Sequence, residues 1–144
     1  MVASRGGHLT QIQKIFPKDV VGNNKTIFLT ERNPKTEKLS NVYFFKILWT
    51  NPFDYLIAIN KCLKIFKKEK IRLIITTGAQ IGLPAVIAGK ILKIKTIFID
   101  TIIRVKTPTY SAKFCYPFSD IFLVQHPEMK EKYGNKTKYV GGIL

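Results

Sequence analysis

Short, nearly continuous apolar runs alternate with helix-like segments along the whole chain. The runs are rich in β-branched residues and cover residues 26–30, 42–48, 73–77, 96–100, 121–124 and 139–140. Strands that are buried on both faces of a parallel sheet have this composition. The segments between them have helical spacing or a proline near a helix start, and they cover residues 9–16, 52–70, 83–92, 111–116 and 127–133. This alternation predicts an α/β fold with a doubly wound, mostly parallel, Rossmann-like sheet in a single domain over residues 1–144.

The start of the chain leaves little room for a first strand. Only Val2 and Ala3 precede the glycine turn that begins near Gly6. We therefore expect a very short first strand or a chain that begins late. No charged and apolar leader precedes the turn, and no run of about 18 apolar residues occurs, so the sequence predicts neither a secretory signal nor a membrane span.

The chain is strongly basic. Its 144 residues include 24 Lys and Arg and only 9 Asp and Glu, which gives a net charge of +15. Such a charge favours an anionic partner, which could be nucleic acid, anionic lipid or phosphate.

The two cysteines, Cys62 and Cys115, belong to no Cys/His cluster, so we expect two ordinary thiols and no structural zinc.

The first glycine turn is a candidate anion site. Ligands of open α/β sheets bind beyond the carboxyl ends of the strands, and the segment Ser4-Arg5-Gly6-Gly7-His8 follows the first strand. Glycines let backbone N–H groups approach a phosphate at a helix N-terminus, and Arg5 adds a full charge. His8 could position a phosphate or an attacking hydroxyl, although a structural histidine and a simple tight turn would look the same.

A second turn of the same kind follows the strand at 73–77. It contains Thr77, Gly78 and Ala79, with Pro84 early in the next helix. Two such turns on one sheet edge could hold both phosphates of a diphosphate. The other interpretation is a strand-to-helix turn that merely needs small residues.

Only two acids follow a strand directly at the expected functional edge, namely Glu31 and Asp100. Burial behind an apolar strand raises the pKa of a carboxylate toward values that suit a general base, which makes Asp100 the candidate base. A helix cap or an ion pair with Arg104 is the structural alternative. Glu31 keeps a dinucleotide-binding interpretation open, but the G-x-G-x-x-G fingerprint is absent.

The longest helix-like segment is both apolar and basic. Phe53, Leu56, Ile59, Leu63 and Phe66 are predicted to line one apolar face, and six basic residues follow or interleave, namely Lys61, Lys64, Lys67, Lys68, Lys70 and Arg72. This composition suits an anionic membrane surface, and it equally suits a solvated helix whose apolar face is core.

The sequence has no D-x-D pair, no P-loop, no G-x-S-x-G elbow and no RNA-reading signature.

The ordered set of these motifs resembles the PssD/CpsF family of bacterial polysaccharide-synthesis proteins. It is also similar to the membrane-anchoring subunit of the eukaryotic two-subunit UDP-GlcNAc transferase of dolichol-linked oligosaccharide synthesis. The resemblance covers essentially the whole chain and is carried by residues 2–9, Thr30-Glu31, 77–79, Pro84, 98–100, Arg104, Pro108, Ser111, 116–125 and Gly141-Gly142.

The resemblance implies the acceptor-side half of a GT-B glycosyltransferase. A separate donor-half polypeptide, PssE-like or CpsG-like, would bind the UDP-sugar, and no metal or other cofactor would be needed. The turns at Gly6-Gly7-His8 and Gly78-Ala79 would then receive the diphosphate of a lipid-linked sugar. Asp100 matches an acidic position, usually Glu in the family, near the acceptor hydroxyl, and Arg104 would steady acceptor phosphate or orient Asp100.

The resulting prediction is the acceptor-binding, partner-recruiting subunit of a UDP-sugar-dependent glycosyltransferase, inactive alone. Its catalytic residues would be Asp100 and His8, and Ser4, Arg5, Gly6, Gly7, Thr77, Gly78, Ala79 and Arg104 would bind the acceptor phosphates. We expect a cytoplasmic protein, peripheral on the inner face of the cytoplasmic membrane, with residues 125–144 at the partner interface. The alternatives are a non-catalytic scaffold, a nucleic-acid binder suggested by charge alone, and a nucleotide-dependent oxidoreductase.

Overall fold

The computed structural model describes residues 1–48, 51–103, 105 and 107–142, without the side chains of residues 18 and 19. Its strands are β1 (Phe28–Glu31), β2 (Val42–Phe45), β3 (Leu73–Thr76), β4 (Lys95–Ile99), β5 (Ile121–Val124) and β6 (Thr137–Tyr139). Its helices are α1 (Gly7–Ile15), α2 (Lys18–Val21), α3 (Pro52–Lys68), α4 (Gly82–Ile91), α5 (Tyr110–Cys115) and α6 (Pro127–Tyr133). The predicted α/β class and the order of strands and helices are confirmed, while α2 was missed.

All strand pairs are parallel. The sheet pairs β1 with β2 and, separately, β3, β4, β5 and β6 in that order. Val2 joins the two parts because it bridges Leu29 of β1 and Thr76 of β3. The expected first strand is therefore a single bridging residue, with Ala3 N–H also donating to the carbonyl of Leu29 at 3.2 Å.

Helices cover both faces of the sheet. On one face, α3 and α4 pack on Ile74 in a core cluster that includes Cys62 and Ala85. On the opposite face, Ile12 of α1 packs against Ile75 and Ile99. Adjacent residues of one strand thus enter different clusters, which explains why the strands are apolar at nearly every position. None of the helices in the described ranges is long and apolar enough to cross a membrane.

The predicted apolar face of α3 is partly wrong. The buried residues of this helix are Ala58, Cys62, Ile65 and Phe66, whereas Phe53 and Leu56 are exposed. A helix turns about 100° per residue, so Leu56 lies about 200° around the axis from Ala58. Small Ala58 and Cys62 form the contact side because α3 packs closely against α4, and this leaves the larger apolar residues of the first turns outside.

A third cluster lies below the carboxyl edge of β4 and β5. The rings of Phe98 and Phe122 stack with centroids 4.5 Å apart and planes 4° from parallel. Tyr133 of α6 packs on Phe122 at 4.7 Å, and Cys115 is buried in the same cluster. Both cysteines are free thiols, as expected, and burial raises the pKa of each to about 12.

Candidate active site

A cavity of about 270 Å³ opens at the carboxyl edge of the sheet. Its walls come from the start of α1, the ends of β3 and β4, the segment between β4 and α5, and the first turn of α5. They comprise His8, Thr77, Phe98, Asp100, Thr101, Ile103, Thr109 and Ser111. A larger cavity of about 490 Å³ lies at the opposite edge, beside Lys70, Arg72 and Leu73. We place the site in the smaller cavity because ligands of parallel sheets bind at the carboxyl edge and because it joins a buried carboxylate to an imidazole.

Asp100 sits at the floor of this cavity, immediately after β4, and is 2% exposed. Its Oδ1 accepts the backbone N–H of Thr101 at 2.9 Å, while Oδ2 is buried with no hydrogen-bond partner among the described residues. Burial raises the pKa of the Asp100 carboxyl, and the Thr101 N–H, the Tyr133 hydroxyl and the charge of His126 oppose that rise. Oδ2 is thus an acceptor that can receive a proton or a hydroxyl hydrogen bond from a ligand.

The backbone of Asp100 is held from two sides. Its carbonyl oxygen accepts from Nε2 of Gln125 at 2.8 Å and from Nε2 of Gln11 at 3.4 Å. Gln125 follows β5 and Gln11 belongs to α1, so residues from two distant segments meet at one carbonyl. Both glutamines are buried. The candidate base therefore has a fixed main chain and a side chain with one oxygen that no described residue engages.

His8 lies in the first turn of α1 and reaches the same cavity. Its carbonyl accepts from the Thr77 hydroxyl at 3.2 Å, which links the first glycine turn to the second. Burial lowers the pKa of the imidazole, and the Thr77 backbone and the charge of Glu31 counteract this only in part. His8 is therefore neutral at pH 7, and its buried Nδ1 has no partner within the described part of the chain.

The first glycine turn is anchored by Glu31. The Glu31 carboxylate accepts the Ser4 hydroxyl at 2.8 Å through Oε1 and the Arg5 N–H at 2.6 Å through Oε2. Gly6 precedes α1 with φ of 87°, a conformation that favours glycine, and the first turn of α1 contains no acid. The Arg5 N–H and the Ser4 hydroxyl are thus engaged by Glu31 in this structure.

The second glycine turn packs directly under the cavity wall. Gly78 has φ of 83° and Ala79 has φ of 61°. A Cβ at position 78 would lie 2.8 Å from Cζ of Phe98, so the turn admits no side chain there. The Gly78 N–H is taken by the Thr76 hydroxyl at 3.0 Å.

The structure brings three of the predicted site residues, His8, Thr77 and Asp100, into one cavity. Gly6, Gly7, Gly78 and Ala79 lie on the adjoining turns and do not line it. Arg104 lies outside the described residues.

Sequence reasoning missed Tyr133 and Thr109. The Tyr133 hydroxyl faces the Asp100 carboxyl and Thr109, and burial and the Asp100 charge raise its pKa. Among the described residues, neither this hydroxyl nor Asp100 Oδ2 has a partner in good hydrogen-bond geometry, although the hydroxyl is close enough to lower the pKa of Asp100. Tyr133 is the last residue of α6, and no local pattern relates it to Asp100, 33 positions earlier.

His126, also near Asp100, hydrogen-bonds the carbonyl of Ile102 through Nε2 at 2.7 Å.

The fold defines a class of protein. MurG of Acinetobacter baumannii matches 98% of this chain with a TM-score of 0.78 and 14% sequence identity, and the match covers 44% of MurG. UDP-N-acetylglucosamine 2-epimerase from Rickettsia bellii matches 99% of the chain with a TM-score of 0.76, also at 14% identity and over 44% of its own chain. The domain is therefore a Rossmann-like unit of the GT-B type.

The sequence narrows this class to a family. Residues 43–143 match the family model described as "Oligosaccharide biosynthesis protein Alg14 like", and the chain belongs to that family. The human UDP-N-acetylglucosamine transferase subunit ALG14 is 30% identical over 86 residues, which cover 56% of this chain and 39% of the relative. The Schizosaccharomyces pombe subunit is 38% identical over 61 residues, which cover 42% of this chain and 28% of the relative. The matched regions thus span less than half the length of these curated relatives.

Proposed function

We propose that this chain is the acceptor-binding, partner-recruiting subunit of a two-subunit glycosyltransferase. The reaction moves GlcNAc or a related hexose from a UDP-sugar to a polyprenyl-diphosphate-linked sugar. The family membership and the names of the relatives, subunits of a UDP-N-acetylglucosamine transferase, support this proposal. A donor-half chain, PssE-like or CpsG-like, binds the UDP-sugar, and residues 125–144 of this chain contribute to the contact with it.

One observation carries the catalytic assignment. Asp100 is buried, its Oδ2 has no hydrogen-bond partner among the described residues, and it shares a cavity with a neutral imidazole at the carboxyl edge of the sheet. A carboxylate with a raised pKa and a free acceptor oxygen suits proton abstraction from a sugar hydroxyl. A purely structural aspartate at this place would be expected to use both oxygens in hydrogen bonds.

In the proposed reaction, the acceptor hydroxyl gives its proton to Asp100 as its oxygen attacks the anomeric carbon of the donor. The bond from that carbon to UDP breaks, and UDP leaves with the electron pair. Attack from the side opposite to UDP inverts the anomeric centre and gives a β-linkage. His8 orients the acceptor through a hydrogen bond at the same cavity, and we assign no metal or other cofactor to this subunit.

The two glycine turns would hold the acceptor diphosphate. The N-terminus of α1 presents backbone N–H groups and a positive dipole end beside the cavity, and Arg5 adds an exposed charge. The turn at Thr77, Gly78 and Ala79 lies against the same part of α1 through the contact of Thr77 with His8. The assignment of Arg104 to an acceptor phosphate stays a prediction.

The test is reconstitution with a donor-half chain encoded by an adjacent gene, followed by a panel of UDP-sugars and a lipid-linked acceptor. Asp100→Ala should lower transfer by a factor of about 10³ or more while co-purification with the partner is unchanged. Glu37→Ala, at an exposed position outside the cavity and outside residues 125–144, is the matched control and should transfer at the wild-type rate. Near-wild-type transfer by Asp100→Ala would instead support the scaffold alternative, in which this chain only anchors and activates its partner.

We place the working protein on the inner face of the cytoplasmic membrane, because a polyprenyl-linked acceptor is confined to a bilayer and the chain is strongly basic.

A further inference from the structure

Two consecutive side chains after β5 hold the segment that carries the candidate base. The backbone contact of this segment with β5 includes a bond from the Asp100 N–H to the carbonyl of Leu123 at 2.8 Å. Nε2 of Gln125 donates to the carbonyl of Asp100 at 2.8 Å, and Nε2 of His126 hydrogen-bonds the carbonyl of Ile102 at 2.7 Å. Side chains thus continue the contact between the two segments past the paired strands.

The backbone of His126 is tied to the core. It is extended, with φ of −127° and ψ of 133°, and it precedes Pro127, the first residue of α6. Proline disfavours the helical conformation for the residue before it, so this extended geometry is strongly preferred. The carbonyl of His126 accepts the N–H of Met129 at 3.1 Å, and Met129 is buried against the aromatic cluster that contains Phe122. The imidazole therefore extends from a fixed position.

The contact with Ile102 also defines the role of the ring. A carbonyl oxygen can only accept a hydrogen bond, so Nε2 of His126 carries the hydrogen. Nε2 is a donor in the neutral tautomer with hydrogen on Nε2 and in the charged imidazolium alike. The contact is therefore available in both protonation states of the ring.

The turn after Asp100 connects this contact to the carboxyl group. The Thr101 N–H donates to Oδ1 of Asp100 at 2.9 Å, and the Thr101 hydroxyl accepts the N–H of Ile103 at 3.4 Å. Ile102 lies between Thr101 and Ile103, so a shift of its carbonyl disturbs both bonds. Because the Thr101 N–H holds Oδ1, it also sets the place of Oδ2, the oxygen that no described residue engages.

The turn itself is only partly buried. Thr101 and Ile102 are half-buried, and Ile103 is 80% exposed although it lines the cavity. Exposed segments with few buried contacts open more readily than core segments do. A hydrogen bond from a side chain whose backbone is fixed opposes such opening.

From these contacts we infer that His126 is a positioning residue for the candidate base. It holds the Ile102 carbonyl, and the turn in turn keeps the Thr101 N–H on Oδ1 of Asp100, so that Oδ2 meets the acceptor hydroxyl in one orientation. A displacement of about 1 Å at a reacting group can cost about 100-fold in rate. The meaning for catalysis rests on the proposed function, whereas support of the turn requires neither donor, acceptor nor partner.

A purely electrostatic role of His126 is the alternative. Burial raises the pKa of the Asp100 carboxyl, and the charge of His126 is among the influences that oppose this rise. Glutamine at position 126 separates the two roles, because its amide can donate to the Ile102 carbonyl but carries no charge. Leucine at the same position removes both the donor and the charge.

The first test is amide hydrogen exchange of the full chain. In His126→Leu the Thr101 N–H should exchange about tenfold or more faster than in the wild type, and in His126→Gln within about threefold of it. Circular dichroism and the melting temperature show whether each variant keeps the fold.

The second test is transfer by the reconstituted pair at saturating donor-half chain. His126→Leu should lower kcat about tenfold and leave the KM for the acceptor within about twofold, since the base is misplaced while the cavity remains. His126→Gln should keep both constants within about threefold of the wild type. Because residue 126 lies in the segment 125–144 assigned to the partner contact, co-purification of each variant is measured beside kcat.

The matched control is a side-chain bond to a carbonyl in another turn. Nδ2 of Asn24 donates to the carbonyl of Val21 at 2.9 Å beside the larger cavity, at the opposite edge of the sheet. Asn24→Leu should leave kcat and the exchange of the Thr101 N–H at the wild-type values.

Several results would overturn the inference. These are unchanged Thr101 exchange in His126→Leu, a glutamine variant no better than the leucine variant, and equal losses in Asn24→Leu. A raised acceptor KM with unchanged kcat would show that His126 shapes the cavity wall and does not position the base. Absence of transfer by the wild-type pair would refute only the proposed function, and the exchange rates would still decide whether His126 supports the turn.

Discussion

The carboxylate of Glu31 accepts the backbone N–H of Arg5 at 2.6 Å, across 26 positions of sequence, and with its other oxygen accepts the Ser4 hydroxyl at 2.8 Å. Glu31 is buried at the end of β1, and Arg5 lies in the turn before α1. A strand end therefore fixes the shape of the first glycine turn. The carboxylate that kept a dinucleotide interpretation open in the sequence is occupied by the protein's own turn.

Glu31→Gln should loosen this turn. Glutamine offers one acceptor oxygen where glutamate offers two, so one of the two donors in the turn loses its partner. We expect the free energy of unfolding to fall by about 1–2 kcal/mol, measured by urea denaturation. Glu37→Gln, at an exposed site, is the control and should change it by less than about 0.5 kcal/mol. If the Glu31 variant is as stable as the control, the carboxylate does not anchor the turn.

Gly78→Ala should be strongly destabilising. Position 78 has φ of 83°, and a Cβ there would lie 2.8 Å from the Phe98 ring. The ring cannot move away freely because it stacks on Phe122 at 4.5 Å. Backbone strain and overlap together should cost about 3 kcal/mol in the free energy of unfolding. Gly142→Ala, where a Cβ meets nothing within 4 Å, should cost little, and equal losses in both variants would contradict the packing argument.

Asp100→Asn should stabilise the fold at neutral pH even if it abolishes activity. Burial raises the folded pKa of Asp100, so the folded state keeps its proton over a pH range in which the unfolded state has already released it. The wild type is therefore destabilised progressively from about pH 4, the ordinary aspartate pKa, up to the raised folded value, above which the full penalty persists.

The size of this effect follows from Asp100 Oδ2, which has no hydrogen-bond partner among the residues that the structure describes. Relieving a buried charge with one unsatisfied atom should raise the free energy of unfolding by about 1 kcal/mol at pH 7. Thermal unfolding of both proteins between pH 4 and pH 7 measures it. The two melting temperatures should converge as the pH falls, and a gap that widens toward acid would reverse the sign of the proposed shift.

Tyr133→Phe should move the pH profile of transfer. The Tyr133 hydroxyl lowers the pKa of Asp100, so its removal should raise that pKa and shift the acidic limb of kcat/KM to higher pH. Stability should change little, because the ring still packs on Phe122. Tyr139→Phe, at the exposed end of β6, is the control and should leave the limb in place. An unmoved limb in Tyr133→Phe would show that the hydroxyl does not act on the base.

Local patterns were sufficient to predict most of the fold. The runs at 73–77 and 121–124 became β3 and β5 almost without change, because strands buried on two faces must be apolar at every position. The proline at 127 placed the start of α6 correctly. The predicted buried face of α3 was partly wrong, because residue spacing identifies a helix with an apolar face but does not show which apolar residues a neighbouring helix will cover.

The sequence could predict a site residue only where that residue follows a strand, because the strand then shows at which edge of the sheet the residue lies. Asp100 and His8 follow strands that end at the same edge, so their meeting in one cavity follows from a parallel sheet. Tyr133 ends a helix and reaches Asp100 only because β5 and α6 fold back beside β4, a contact that no short sequence window contains. Likewise, the hydrogen bond that Glu31 accepts from Arg5 uses a backbone N–H. Every residue except proline has this group, so the amino-acid sequence gives no sign of the contact.

The two buried glutamines that meet at the Asp100 carbonyl set a limit on how this site can adapt. Gln11 and Gln125 tie one peptide group to α1 and to the end of β5, so shifting it would break its contacts with both segments. Adjustment to a ligand therefore falls to side-chain rotation and to the residues after Asp100, rather than to the aspartate's own main chain. In a two-chain enzyme, bringing the reacting atoms together would then depend on how the chains approach one another as whole bodies, with this carboxylate as the stationary reference.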